Sequence, residues 1–155
     1  MENYQKLLIS ILLPLAVGFM GSVFTSSSLS DWYSGLAKPD FSPPNWVFAP
    51  VWTGLYILMG ISFYLIWKMG YSEKTKPAVL VYLGQLLLNF AWSFLFFGLR
   101  NPLYGFIEIV VLWFAIAANI LLFYRLNKTS AYLLVPYILW VSFASVLNYS
   151  IFALN

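Results

Sequence analysis

The chain has 155 residues, of which 62% are apolar, 21% aromatic and only 8% charged, with a net charge of +3. Eight basic and five acidic side chains cannot cover the surface of a water-soluble domain of this length. A soluble enzyme, a disordered chain and a nucleic-acid binder are therefore excluded, and lipid must supply most of the outer surface. There is no Cys and no His, which removes disulfides, thiol nucleophiles, His general bases and Cys- or His-ligated metals, so neither a metal site nor a cofactor is expected.

A helix needs about 20 largely apolar residues to cross a ~30 Å hydrocarbon core. In chain order, five stretches meet that length: residues 4–25, 46–69, 78–99, 103–126 and 130–154. They are continuous apolar runs rather than short alternating segments, so helices and not a β-barrel are expected. The first run is too long for a signal-peptide core and lacks a small-residue cleavage site, so it is expected to stay as a span. The expectation is an all-α integral membrane protein, one domain over residues 1–155, built as a five-transmembrane-helix bundle.

The connections are short at residues 68–77, 100–102 and 125–130, which makes neighbouring spans antiparallel. Residues 26–45 form the one long loop, rich in aromatics and held extended by Pro39, Pro43 and Pro44. Ser30 and Asp31 are positioned to cap a short helix through Trp32 to Ala37. Two readings of this loop stand side by side: a stiff lid over the mouth of the bundle, or an aromatic belt that only sets membrane depth. Lys6, Lys68, Lys74, Lys76, Arg125 and Lys128 fall on one side of the membrane, and Lys38 and Arg100 on the other. The basic excess places the N-terminus in the cytoplasm, and the long loop and C-terminus outside.

Inside the spans, helical spacing collects residues on single faces. The second span gives Trp52, Tyr56, Met59 and Phe63, and the third gives Gln85, Asn89, Trp92 and Phe96. The fourth gives Glu108, Ala115 and Asn119, and the fifth gives Tyr137, Trp140, Ala144 and Asn148. Amides in hydrocarbon are costly unless paired, so these faces point inward, as helix-to-helix glue or as the polar points of a site. Ala144 either leaves room for a ligand or permits close packing. Glu108 is the only acidic residue within a span, and pairing with Arg100 or snorkelling to the headgroups outweighs a proton relay. Gly18 and Ser22 make the best small-residue contact motif. Aromatics interleaved with amides on three helices suit a pocket for a flat, apolar ligand with a few polar groups, and Lys38 near the mouth suits a carboxylate. The alternative is a tightly packed bundle with no cavity.

The run Trp32-Tyr33, Leu36, Lys38-Pro39, Pro43-Pro44, Trp46 and Pro50-Val51-Trp52 resembles the first loop of the tryptophan-rich sensory protein/translocator protein family (TspO/MBR, peripheral benzodiazepine receptor). Gln85-Leu86, Leu88-Asn89, Trp92 and Phe96-Phe97-Gly98 extend the match, as do Pro136-Tyr137, Trp140, Phe143-Ala144 and Leu147-Asn148-Tyr149. The resemblance covers nearly the whole chain. It implies a five-helix bundle with a pocket under the first loop, taking porphyrins such as protoporphyrin IX, isoquinoline- and benzodiazepine-type drugs, and sterols. It implies ligand-binding positions at Tyr33, Pro43, Trp52, Asn89, Trp92, Trp140 and Ala144. Trp52 and Trp140 also fall where the family has tryptophans important for light-dependent porphyrin breakdown. A homodimer is implied as well.

Three departures qualify the match. No Lys or Arg follows Leu147-Asn148-Tyr149, which argues against the animal cholesterol motif. Tyr104 stands where many members carry Trp, so a pocket wall is expected to differ. Glu108 stands where relatives often have Asp. The leading functional expectation is a membrane receptor or sensor for porphyrin-like ligands. A photo-oxidative enzyme is the alternative, with no acid–base pair or metal site for dark chemistry, and a porphyrin or sterol transporter ranks below both.

Overall fold

A computed structural model describes residues 1–155. Helix α1 spans Asn3–Leu29 and carries Pro14 in its interior. Proline has no N–H to give to the carbonyl four residues earlier, so the Ser10 carbonyl is left without its helical donor. The second long helix, α2 (Phe48–Trp67), meets α1 at that place. A Cβ added at Gly60 would stand 2.6 Å from the Ser10 oxygen and 2.5 Å from Ile11 Cα. Glycine is what lets the two backbones touch here.

Helix α3 runs Lys76–Ser93, with Pro77 in the first turn where its missing N–H costs nothing, and then widens into a π-turn over Phe94–Gly98. The Leu99 N–H donates to the Phe94 carbonyl at 2.8 Å, closing the wider turn. Helix α4 (Pro102–Leu126) begins with Asn101 as its cap, whose side chain accepts from the Tyr104 N–H at 3.1 Å. The fifth span is two helices: α5 (Lys128–Leu133), capped by Asn127, and α6 (Val135–Leu154). The break at Leu134 falls two residues before Pro136, which cannot continue the hydrogen-bond ladder. The fifth span expected over residues 130–154 is thus present, with a one-residue interruption at Leu134.

Five segments are long and apolar enough to cross a membrane, and the chain is all-helical. Around the bundle, α1 packs on α2 and α3, α3 on α4, α4 on α5 and α6, and α5 back on α2, closing a ring. Two serines lock one seam, since Ser62 Oγ donates to the Ser130 carbonyl and Ser130 Oγ to the Ser62 carbonyl, each at 2.7 Å. Packing is densest at the end nearest the N-terminus. There Phe63 and Tyr82 stack at 4.6 Å within a buried cluster that includes Ile66 and Phe123.

The loop between α1 and α2 is ordered and seated. Its local helix is a single 3-10 turn, Tyr33–Gly35, shorter than the Trp32–Ala37 helix expected. Asp31 accepts from the adjacent Trp32 N–H, but the turn itself carries no side-chain cap, so the capping expected from Ser30 and Asp31 is not formed. The chain expected to be extended from Pro39 instead makes a tight turn at Asp40 and Phe41, closed by the Ser42 N–H donating to the Pro39 carbonyl at 3.0 Å. This sets Phe41 edge-on to Phe143 of α6 at 6.1 Å, and a second 3-10 turn at Asn45–Val47 leads into α2. Arg100, at the α3–α4 turn with φ of 53°, holds Asp31 at 3.2 Å and donates to Ser28 Oγ at 3.3 Å. Asn155 grips the backbone of Ala37 from both sides, accepting its N–H at 3.1 Å and donating to its carbonyl at 2.9 Å.

The expected pairing of Arg100 with Glu108 is not formed. Glu108 is buried on the inner face of α4 and neither carboxylate oxygen has a hydrogen-bond partner. Asp31 reaches Arg100 instead, because the end of α1 lies beside the α3–α4 turn.

Candidate functional site

The half of the bundle next to the α1–α2 loop is hollow. A cavity of about 480 Å³ lies beneath the loop, within the range of small-molecule sites. Of the seven residues singled out by resemblance, Tyr33, Trp52, Asn89, Trp92, Trp140 and Ala144 lie on its wall. Pro43 does not; it stiffens the extended segment outside the cavity. Tyr104 is half exposed on the outer face of α4 and forms no part of the wall, so its departure from Trp leaves the cavity unchanged.

The wall follows from helical periodicity. On α2, Phe48, Trp52 and Tyr56 recur every four residues, and Trp52 stacks on Tyr56 at 5.6 Å. On α3, Asn89, Trp92 and Phe96 share one face, with Trp92 stacked on Phe96 at 5.4 Å. The π-turn then rotates the chain so that consecutive residues Phe96 and Phe97 are both buried. On α6, Trp140, Ala144, Leu147 and Asn148 complete the wall, and Ala144 is the smallest side chain there. Phe48 meets Trp140 edge-on at 6.3 Å, joining α2 to α6.

The amides are bound into a network. Tyr56 donates to Asn89 Oδ1 at 2.8 Å, and Asn89 Nδ2 donates to the Tyr137 hydroxyl at 2.8 Å. Tyr137 in turn donates to Gln85 Oε1 at 2.7 Å. Trp92 Nε1 donates to Asn148 Oδ1 at 3.0 Å, and Asn148 Nδ2 to the Pro102 carbonyl at 2.9 Å. Asn89 and Asn148 thus act as glue between spans and each fixes an aromatic ring at the cavity edge, Gln85 ties Tyr137 behind the wall, and Asn119 of α4 is buried with neither amide atom paired. By contrast, Trp140 Nε1 and the Tyr33 hydroxyl are buried without a hydrogen-bond partner. Trp52 Nε1, also on the wall, makes no hydrogen bond either, so these are the polar atoms of the predicted set left to pair with a ligand.

Tyr33 roofs the cavity. Its ring is wedged among Phe48, Phe96 and Phe97, with centroids 5.7–6.4 Å away, and Lys38 Nζ stands 4.8 Å over its face. Burial pushes its phenol above the ordinary value, partly offset by Ser42 nearby. Lys38 is turned back onto the carbonyls of Leu36 and Ser34 and is not on the wall.

Sequence reasoning missed the contribution of α1. Leu15, Gly18, Phe19, Ser22, Thr25, Ser26 and Leu29 all line the cavity. The signal was present in the small residues Gly18 and Ser22, which were weighed as a helix contact alone. Tyr56, Phe96 and Asn148 lay on faces already identified, yet were not assigned to the site.

A five-span helical membrane protein with an aromatic cavity between its helices and an ordered loop across its mouth is a definable class. The TspO/MBR family model matches residues 10–154, and the chain belongs to that family. It is 48% identical over 153 residues to the tryptophan-rich protein TspO of Archaeoglobus fulgidus, covering 99% of both chains. It is 40% identical over 139 residues to the translocator protein of Homo sapiens, covering 88% of this chain and 82% of that one. To the tryptophan-rich sensory protein of Cereibacter sphaeroides it is 34% identical over 125 residues, covering 81% and 77%.

Proposed function

We propose that this protein is a membrane receptor or sensor that binds porphyrin-like and other flat, lipophilic ligands in the cavity under the loop. The observation that carries this reading is the wall itself: indoles from three helices, Trp52, Trp92 and Trp140, around one space of about 480 Å³. Stacking on these rings and removal of apolar ligand surface from water supply the affinity. Trp140 Nε1 and the Tyr33 hydroxyl supply orientation, and Ala144 leaves the ring edge room. Protoporphyrin IX and isoquinoline- or benzodiazepine-type drugs are the probes of choice. The relatives' names, which speak of sensing and translocation, agree with a small-molecule role. A homodimer in the membrane is part of the same proposal.

Replacing Trp140 with Ala removes one stacking face and is expected to weaken protoporphyrin IX binding about tenfold, or about 1.4 kcal/mol. Titration of tryptophan fluorescence measures it, and an unchanged midpoint would count against the reading.

Trp52 and Trp140 both stand on the wall, which favours one further possibility, photochemical breakdown of a bound porphyrin with oxygen as the oxidant. Illumination of the complex should then give a new product that Trp52→Phe and Trp140→Phe each suppress. Bleaching that is identical in all three proteins rules it out.

A further inference from the structure

The cavity is closed at its roof and along most of its sides. At the roof, Tyr33 is wedged between rings of α2 and α3, Trp32 meets Phe96 at 5.5 Å, and clasps from Arg100 to Asp31 and from Asn155 to Ala37 hold the loop at its start and its middle. The α1–α3 seam is tight. A Cβ at Gly21 would lie 3.1 Å from Ser93 Oγ, Phe24 packs edge-on to Phe94 at 5.3 Å, and Ser28 Oγ donates to the Phe97 carbonyl at 2.7 Å.

The α1–α2 seam differs along its length. Toward the N-terminal end it is shut by Gly60 on the Ser10 carbonyl and by the Tyr56 ring, which leaves no room for a Cβ at Gly18. Beyond Tyr56 the helices part. Phe19, Ser22 and Ser26 of α1, Ala49 and Thr53 of α2, and Asn45 just before it all line the cavity, yet all are exposed on the outer surface. No cavity-lining residue of α3 or α6 is exposed in this way. The void therefore reaches the outside of the bundle between α1 and α2, at a height that faces lipid.

The lips suit passage of an apolar solute. They carry no charge. Ser22 and Thr53 spend their hydroxyls on their own helix, donating to the Phe19 and Ala49 carbonyls at 2.6 and 2.7 Å, so a ring sliding between them meets mainly apolar surface, while the Ser26 hydroxyl and the Asn45 amide lie toward the loop end of the slot. We infer that the cavity is loaded sideways, by a flat amphiphile already dissolved in the bilayer, through the slot between α1 and α2, while the loop stays shut. This rests on the receptor reading above and adds the route and the class of ligand, one that partitions into membranes.

The absence of Cys makes the test clean. Thr53→Cys in lipid nanodiscs is modified with a bulky aromatic methanethiosulfonate, and protoporphyrin IX binding is followed by stopped-flow tryptophan quenching. Modification should slow dissociation as well as association, about tenfold, because the adduct plugs the exit, and a reductant should restore both rates in the same sample. Slower association with dissociation unchanged or faster would mean that the adduct only fills the cavity and would count against the route. Asn155→Ala, which frees the middle of the loop at Ala37, should leave the rates unaltered. Wild-type association should follow porphyrin per lipid rather than porphyrin per volume. Rates unaffected by the modified Cys, or accelerated by Asn155→Ala, overturn the lateral route while the receptor reading stands. A wild type that binds no porphyrin removes both.

Discussion

Tyr137 shows how much one hydroxyl holds together in this bundle. It accepts from Asn89 and donates to Gln85, and is fully buried where α3 faces the fifth span. Interhelical hydrogen bonds in lipid average only about 0.6 kcal/mol, because a displaced group finds other partners within the membrane. Tyr137→Phe breaks two of them and is expected to cost roughly 1 kcal/mol, read as an earlier midpoint in detergent denaturation. Its larger effect falls on the site. Without Tyr137 as partner, Asn89 is free to turn, and the ring of Tyr56 that it holds beside Trp52 is released, so ligand affinity should fall more than stability does. Such a residue is only half legible in sequence. The helical face that carries Tyr137 can be read from spacing, but its partners come from two places on another span. Glu108 fails in the same way: Arg100 is its nearest basic neighbour along the chain, yet a ligand distant in sequence, Asp31, takes that guanidinium.

At the scale of elements, the lengths of the spans were readable because hydrocarbon thickness imposes them, and the observed helices differ from the apolar runs mainly at their ends. The departures from regular winding were not readable. Pro136 is compatible with the first turn of a helix or with a kink, and a π-turn has no composition of its own. The loop was legible as rigid from its prolines, but its fastenings were not, since Arg100 and Asn155 lie far from it in sequence. One fastening is titratable. The Trp32 N–H and the Arg100 guanidinium stabilise the Asp31 carboxylate and hold its pKa below the ordinary 3.8. A depressed folded value means that the clasp stabilises the loop above the unfolded value and is lost as pH falls through the folded one. Loop protection in hydrogen exchange should therefore be flat from neutral pH to about 5 and drop only below the usual aspartate range. Asp31→Asn should show the weakened state at every pH.

For the molecule as a whole, the two ends differ in charge and in packing. The end with six basic residues is solid with stacked rings, whereas the end with Lys38 and Arg100 holds the void. If the basic excess governs insertion, the solid end faces the cytoplasm and the roofed end faces out. Single Cys residues make this measurable in intact cells. Ser72→Cys should resist a membrane-impermeant maleimide until the cells are opened, and Ser34→Cys should react from outside. The reverse pattern would invert the assignment. That a cavity exists was not decidable from composition, because a dry bundle and a hollow one draw on the same aromatic and amide residues. What separates them is the placing of small side chains, Gly18 and Ala144, opposite large ones.

The wide turn at Phe94–Gly98 bears on how this architecture tolerates change. It behaves as one surplus residue wound into an otherwise regular rod. Because the wide turn absorbs that residue, everything beyond it keeps the face it would have in a regular rod. Deleting one residue there should restore ordinary pitch and leave Arg100 beside Asp31, at the loss of one of the two adjacent buried rings, Phe96 and Phe97. The same deletion in the regular winding of α3 would turn everything beyond it by about 100° and carry Arg100 away from Asp31, so the roof's fastening tolerates a length change in the wide turn and not before it.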